Sequence, residues 1–224
     1  DQIIKNGRVT RGWIGIETQE ITADLAESFR LKTTEGALMV NELAMHPELP
    51  DIAVNISARS LADVSFPRYI LDTLENKGVP PRRLLLELTE TAAMGDLQDA
   101  RRFLETLQPA GCRVCLDDFG TGFSSLSYLK RFPVHELKID RSFVRDATRG
   151  GLDAAIAGSI IELGKQFGLH VVAEGVETAE QAAFLVARGC TAHQGYLYAR
   201  PMPVEDFEDA LTRQLTFPLE DPKR

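Results

Sequence analysis

Two adjacent carboxylates, Asp117 and Asp118, stand in the segment V-C-L-D-D-F-G-T-G-F-S-S-L at residues 114–126. Val114, Cys115 and Leu116 read as a short buried strand, and Gly120 and Gly122 mark a loop behind it. Burying a carboxylate is costly unless it is paired, hydrogen-bonded or bound to a metal. Side chains alternate along a strand, so neighbouring aspartates share a target only near its end, where the chain bends. Such a corner suits two metal ions, one aspartate bridging them and the other holding the second. Taken by itself, the motif reads equally well as an acidic turn between a strand and a helix.

Residues that could join this pair must be brought there by other elements, and from about His46 short apolar strands alternate with amphipathic helices. Residues 52–56 read as a strand, and Pro67 opens a helix that Gly78 closes. Residues 84–88 form the next strand. Asp96 then caps a helix whose Leu97, Ala100, Phe103, Leu104 and Leu107 share one face. After the strand at Val114 come a helix over about 124–131, a strand over 137–139 and a helix over 153–167. The last turns Ile156, Ile160, Leu163 and Phe167 inward. A strand over 171–173 follows. Thr178 and Gln181 make a capping box for a helix that ends at Gly189. A last strand over 192–196 and a helix opened by Pro203 complete the pattern. Six strands alternating with helices predict a parallel α/β sheet or barrel.

Polar residues recur at the C-terminal ends of these strands: Asn55, Glu87 with Glu90, Asp117 with Asp118, Lys138 with Asp140, Glu174 with Glu177, and Gln194. Strand C-termini of a (β/α)₈ barrel converge on one mouth, where active sites are built. Glu87, Asp117, Asp118, Glu174 and the Asn55 carbonyl form an oxygen-rich set suited to Mg²⁺ or Mn²⁺. Lys138 would orient a water or stabilise charge on phosphate; a salt bridge closing the barrel is its plainer role. With no nucleophilic side chain in the set, the chemistry expected is metal-assisted hydrolysis.

Composition narrows the setting. A hydrophobic fraction of 44% and a charged fraction of 26% are those of a globular protein, and the formal charge of −8 argues against a nucleic-acid backbone binder. No apolar run reaches the roughly 18 residues of a membrane span, and the N-terminus lacks a signal-peptide core, so a cytoplasmic location is expected. Three cysteines fit a reducing compartment, and Cys112 and Cys115 have no second pair or nearby histidine to complete a zinc site. Among four scattered histidines only His193 lies near a site motif, where a packing or supporting role is expected.

Residues 1–44 differ in character. They read as a strand over 11–17, a helix over 23–31 capped by Thr22, and a strand over 36–43. G-R-V-T-R-G-W-I-G-I-E-T-Q-E-I-T-A-D-L-A-E-S-F resembles the opening of the first PDZ domain of Do/Deg-type (high-temperature-requirement A) serine proteases. The resemblance stops near Leu43. The rest of that domain and the protease triad are absent, so no working peptide groove is expected.

Beyond residue 45 the motifs N-I-S-A-R-S-L, E-L-T-E-T, D-D-F-G-T-G-F-S-S-L-S-Y-L, L-K-I-D-R-S-F-V, V-V-A-E-G-V-E-T and Q-G-Y-L-Y-A-R-P closely resemble the EAL family. The likeness covers about residues 46–214. It implies an EAL-type TIM-like (β/α) barrel and a bacterial phosphodiesterase that linearises cyclic di-GMP to pGpG. It also implies that Asn55, Glu87 and Asp117 bind one Mg²⁺ or Mn²⁺, and Asp117, Asp118 and Glu174 a second. Glu174 would act as general base, Lys138 would position the attacking water, and Glu90 would anchor the loop from Phe119 to Ser124. That loop would couple a homodimer to metal binding, and its Gly120, Thr121 and Gly122 would line the substrate pocket with Gln194, Arg200 and Pro201. The domains expected are a PDZ-like segment at 1–44, an EAL domain at 45–218 lacking its first strands, and a tail at 219–224.

The chain departs from the family pattern in one place that matters: it contains no Glu-Ala-Leu, whose glutamate ligates the first metal. The matching span is also short for a barrel of about 250 residues. Glu42, in N-E-L-A at 41–44, offers a stand-in if strands at 12–17 and 36–43 complete the barrel. It precedes Asn55 by only 13 residues, marginal for a parallel crossover. The sequence thus supports an active phosphodiesterase, a degenerate module that binds cyclic di-GMP or a protein partner, or a chimeric fragment.

Overall fold

The computed structural model describes residues 2–5, 8–12, 51–122, 129 and 132–200. The main body of the sheet is six strands: β3 (Ile52–Asn55), β4 (Leu84–Thr89), β5 (Arg113–Phe119), β6 (Glu136–Ile139), β7 (His170–Ala173) and β8 (Ala192–His193). Each runs parallel to the next, so chain order and sheet order coincide. Among the described residues the helices between them are α1 (Ala58–Ala62), α2 (Phe66–Lys77), α3 (Glu90–Gly95), α4 (Leu97–Leu107), α5 (Arg141–Arg145), α6 (Gly151–Phe167) and α7 (Ala179–Ala187).

Local chemistry sets these boundaries. Gly78 ends α2 in the left-handed conformation at φ 67°, its amide reaching the carbonyls of Leu74 and Glu75. Asp96 starts α4 by accepting from the amides of Gln98 and Asp99, and Thr178 and Gln181 form the expected capping box on α7.

Strand alternation then sorts the side chains. Leu84, Leu86, Leu88, Val114, Leu116, Leu137 and Ile139 face the helices, where they join Phe103, Leu104 and Leu107 in one large core. The intervening residues face the other way: Leu85 and Cys115 cluster with Ala53 in a small second core. Glu87, Asp117 and Lys138 hold that same parity, so the sequence pattern that builds the core also delivers these charges to the inner face.

Several expectations need correction. Helices α1, α3 and α5 are additional to the pattern; all three are short and lack a periodic apolar stripe. β8 is two residues long, not five, because the chain turns after His193. A Cβ on Gly195 would stand 2.2 Å from the Val176 carbonyl oxygen, an approach only glycine permits. Phe167, expected inward, is 41% exposed at the last turn of α6. At the N-terminus, β1 (Gln2–Lys5) and β2 (Arg8–Gly12) form an antiparallel hairpin, and β1 pairs antiparallel with β8. Among the described residues the sheet has eight strands in the order β2-β1-β8-β7-β6-β5-β4-β3, the hairpin extending it beyond β8; the strand expected over 36–43 and all but Gly12 of that over 12–17 lie outside the described residues.

Most of the PDZ-like stretch, Glu42, the helix expected over 124–131 except Leu129, Pro201 and the helix from Pro203 lie outside the described residues. Among the described residues no helix is long and apolar enough to cross a membrane.

Candidate metal centre

Strand β5 is irregular where the two aspartates stand. It pairs with β6 through Cys115–Glu136 and Leu116–Leu137 and resumes at Phe119–Ile139, so β5 carries one extra residue between those points. This is a β-bulge, which bends a strand and re-aims its side chains. Asp118 absorbs it at φ 53°, in the left-handed region that aspartate tolerates better than most residues. Strict alternation would send Asp117 and Asp118 to opposite faces; the bulge lets both serve one. Carboxylate oxygens of Asp117, Asp118 and Glu174 lie within 4.8 Å of one another, close enough to share a divalent cation.

Beneath them Lys138, fully buried on β6, reaches three acids. Its Nζ lies 2.5 Å from Glu174 Oε1, 3.2 Å from Glu87 Oε1 and 3.4 Å from Asp117 Oδ1. Burial works against the ammonium, yet Glu87, Glu174 and Asp117 outweigh it and hold Lys138 well above the ordinary lysine range. Burial pushes Glu87 up to about 7 despite the nearby lysine. Burial also raises Glu174, against the pull of Lys138. For Asp118 burial leads again, with repulsion from Asp117 and Asp140 adding to it. Asp140 is held low, because hydrogen bonds from Ser142, the second residue of α5, outweigh its burial.

The donor set fits divalent cations. Four carboxylates (Glu87, Asp117, Asp118 and Glu174) surround one ammonium, leaving an excess of negative charge in a largely buried pocket. Both Glu87 oxygens are sealed from solvent, with the Lys138 ammonium facing Oε1. An all-oxygen set of this kind suits hard ions such as Mg²⁺ and Mn²⁺.

A buried carboxylate braces the loop behind the bulge. Glu90, first residue of α3, accepts at Oε2 from the amides of Gly120 at 3.1 Å and Gly122 at 3.4 Å. The Thr121 hydroxyl donates to the Asp118 carbonyl at 2.9 Å. A Cβ on Gly122 would crowd Glu90 Cδ at 3.1 Å, so glycine lets the acid approach.

A family model for the EAL domain matches residues 15–201. The chain belongs to the EAL family. The EAL match begins within the segment at 1–44 that the motif pattern sets apart. Among curated relatives, the cyclic di-GMP phosphodiesterase NbdA of Pseudomonas aeruginosa is 39% identical over 199 residues, covering 89% of this chain and 25% of NbdA. The first relatives are matched over only 20–26% of their own length, so the chain spans about a quarter of them or less. The MucR phosphodiesterase of the same organism, solved with c-di-GMP, superposes with a TM-score of 0.74 at 39% identity, covering 83% of this chain and 84% of that one. Klebsiella pneumoniae BlrP1, solved at pH 6 with manganese and cyclic di-GMP, gives a TM-score of 0.76 at 30% identity, over 89% of this chain and 54% of its own.

The remaining site residues of this EAL chain sort by position. Asn55, exposed, ends β3 in register with Glu87 on β4. Gln194, 5% exposed, follows β8, its amide donating to the Ala173 carbonyl at 2.8 Å. Arg200, exposed, sets its guanidinium 4.4 Å above the Tyr196 ring. The sequence reading missed Asp140 as a hydrogen-bond partner of Asp118 and Tyr198 as the partner of His193. Asp140 was legible only as a strand-end acid. Nothing in a lone tyrosine five residues after a histidine signals that the two meet.

Proposed function

We propose that this EAL module hydrolyses cyclic di-GMP to pGpG with two divalent cations. Asn55, Glu87 and Asp117 would hold one ion, and Asp117, Asp118 and Glu174 the other. The observation carrying this reading is the convergence of Asp117, Asp118 and Glu174 within 4.8 Å above a buried Lys138. Divalent cations held there would supply Lewis acidity toward the phosphodiester and its attacking water.

The chain's own residues supply the rest. Glu174, its basicity raised by burial, takes the proton of the attacking water as the new P–O bond forms. The P–O3′ bond breaks and the departing 3′-oxygen takes a proton from solvent water, leaving a 3′-hydroxyl and the 5′-phosphate of pGpG. Lys138 holds Glu87, Asp117 and Glu174 convergent and places that water. Glu90 fixes the loop of Gly120, Thr121 and Gly122, through which a homodimer would couple to the site. Gln194, Arg200 and Pro201 line the dinucleotide pocket.

A second reading, a module that binds cyclic di-GMP without cleaving it, is favoured by the missing Glu-Ala-Leu glutamate. Chromatography of cyclic di-GMP incubated with the protein and Mn²⁺ separates the two. Accumulation of pGpG, abolished by Glu174→Ala, is expected; tight binding with no product would establish the receptor instead.

A further inference from the structure

His193 ends β8 and Tyr198 closes the turn that follows; both are buried. His193 Nε2 lies 2.9 Å from the Cys190 carbonyl, and Nδ1 lies 2.8 Å from the Tyr198 hydroxyl. A carbonyl only accepts, so Nε2 carries a proton and donates. In that neutral tautomer Nδ1 is an acceptor, and the Tyr198 hydroxyl donates to it. The two rings lie 6.2 Å apart at 23°, nearly parallel.

The Tyr198–His193 bond closes the chain over residues 194–197. Within that span the Leu197 amide donates to Val176 O, the Val176 amide donates to Gln194 O, and Gly195 presses on the Val176 backbone. The turn is thus docked as one piece at the C-terminal end of β8. It carries Gln194 and the half-exposed Tyr196, with Arg200 stacked on the tyrosine ring. An exposed aromatic face backed by a guanidinium is a surface on which a nucleobase stacks.

We propose that His193 and Tyr198 are positioning residues for the dinucleotide pocket, their hydrogen bond holding the turn that presents Gln194 and the Tyr196–Arg200 stack. The inference rests on the proposed cyclic di-GMP reading. It is tested on the full chain with Tyr198→Phe, which removes only the hydroxyl. The variant is expected to weaken cyclic di-GMP binding about fivefold, the share of one hydrogen bond, with Mn²⁺ affinity and melting temperature nearly unchanged. Hydrogen exchange should quicken at the amides of Leu197 and Tyr198 and stay unchanged in β5 to β7.

His193→Asn, which keeps an acceptor near the Nδ1 position, should bind more tightly than His193→Leu. Parent-like binding and exchange in Tyr198→Phe would overturn the proposal. So would equal losses of Mn²⁺ affinity and cyclic di-GMP affinity, the mark of a general structural defect. A parent that binds no cyclic di-GMP overturns the functional reading and the substrate role with it; the exchange pattern then still decides whether the pair holds the turn.

Discussion

Asp118 joins a charge to a backbone shape. Its left-handed φ of 53° narrows the residues that fit, and asparagine is the one that keeps the shape while losing the charge. Asp118→Asn should therefore hold folding stability within about 1 kcal/mol of the parent while Mn²⁺ affinity drops at least roughly tenfold. Urea titration and Mn²⁺ titration measure the two halves, and a large loss of stability with intact metal binding would contradict the assignment. Glu87 brings a pH dependence. It titrates near 4.5 when unfolded and at about 7 when folded. The stabilising preference for its protonated form is complete below 4.5 and is lost as pH rises through 7, worth roughly 3 kcal/mol at most. A cation must displace that proton, so Mn²⁺ affinity should climb across the same interval and level off above about pH 7. Calorimetric titrations across this range check it; a flat profile would remove Glu87 from the ligand set. The acids themselves were legible from residue type and strand-end position. The bulge was not, because a period-two reading has no way to announce an extra residue.

At the scale of elements, the close seat of α6 on β7 depends on one missing side chain. A Cβ on Gly164 would stand 2.1 Å from Val171 Cγ2. Alanine is the better helix former by about 1 kcal/mol, yet Gly164→Ala should destabilise by roughly 1–3 kcal/mol because helix and strand must separate. Adding Val171→Ala should return part of the loss, and chemical denaturation of the single and double variants reads the difference. The long helices were legible because caps and apolar spacing agree, as at Asp96 and at Thr178 with Gln181. Helices α1, α3 and α5 escaped notice because five or six residues cannot display a helical period. Their caps, Ser57, Thr89 and Asp140, were the only signals, and each is equally at home in a turn.

For the whole molecule, β-α alternation made the parallel core legible, whereas the sheet's outer hairpin was not. The contact of Ile4 with His193 joins opposite ends of the chain, and no local pattern encodes such a pairing. By covering the side of β8 away from β7, the hairpin blunts an edge that would otherwise invite another strand. Deleting residues 1–7, which removes β1, should make the protein self-associate at lower concentration than the parent. Sedimentation velocity over a concentration series tests this, and identical profiles would show that the edge needs no cover.

The same strand order has a consequence for biosynthesis. From β3 to β8 every strand finds its neighbour in the strand just made, so the sheet can grow one unit at a time as the chain leaves the ribosome. The hairpin cannot follow that schedule. Made ahead of β3 to β8, β1 must wait for β8, its partner outside the hairpin, and bear the entropy of closing the long loop between Lys5 and Ala192. Among the described strands, the one made ahead of β3 to β8 is seated on the sheet after them.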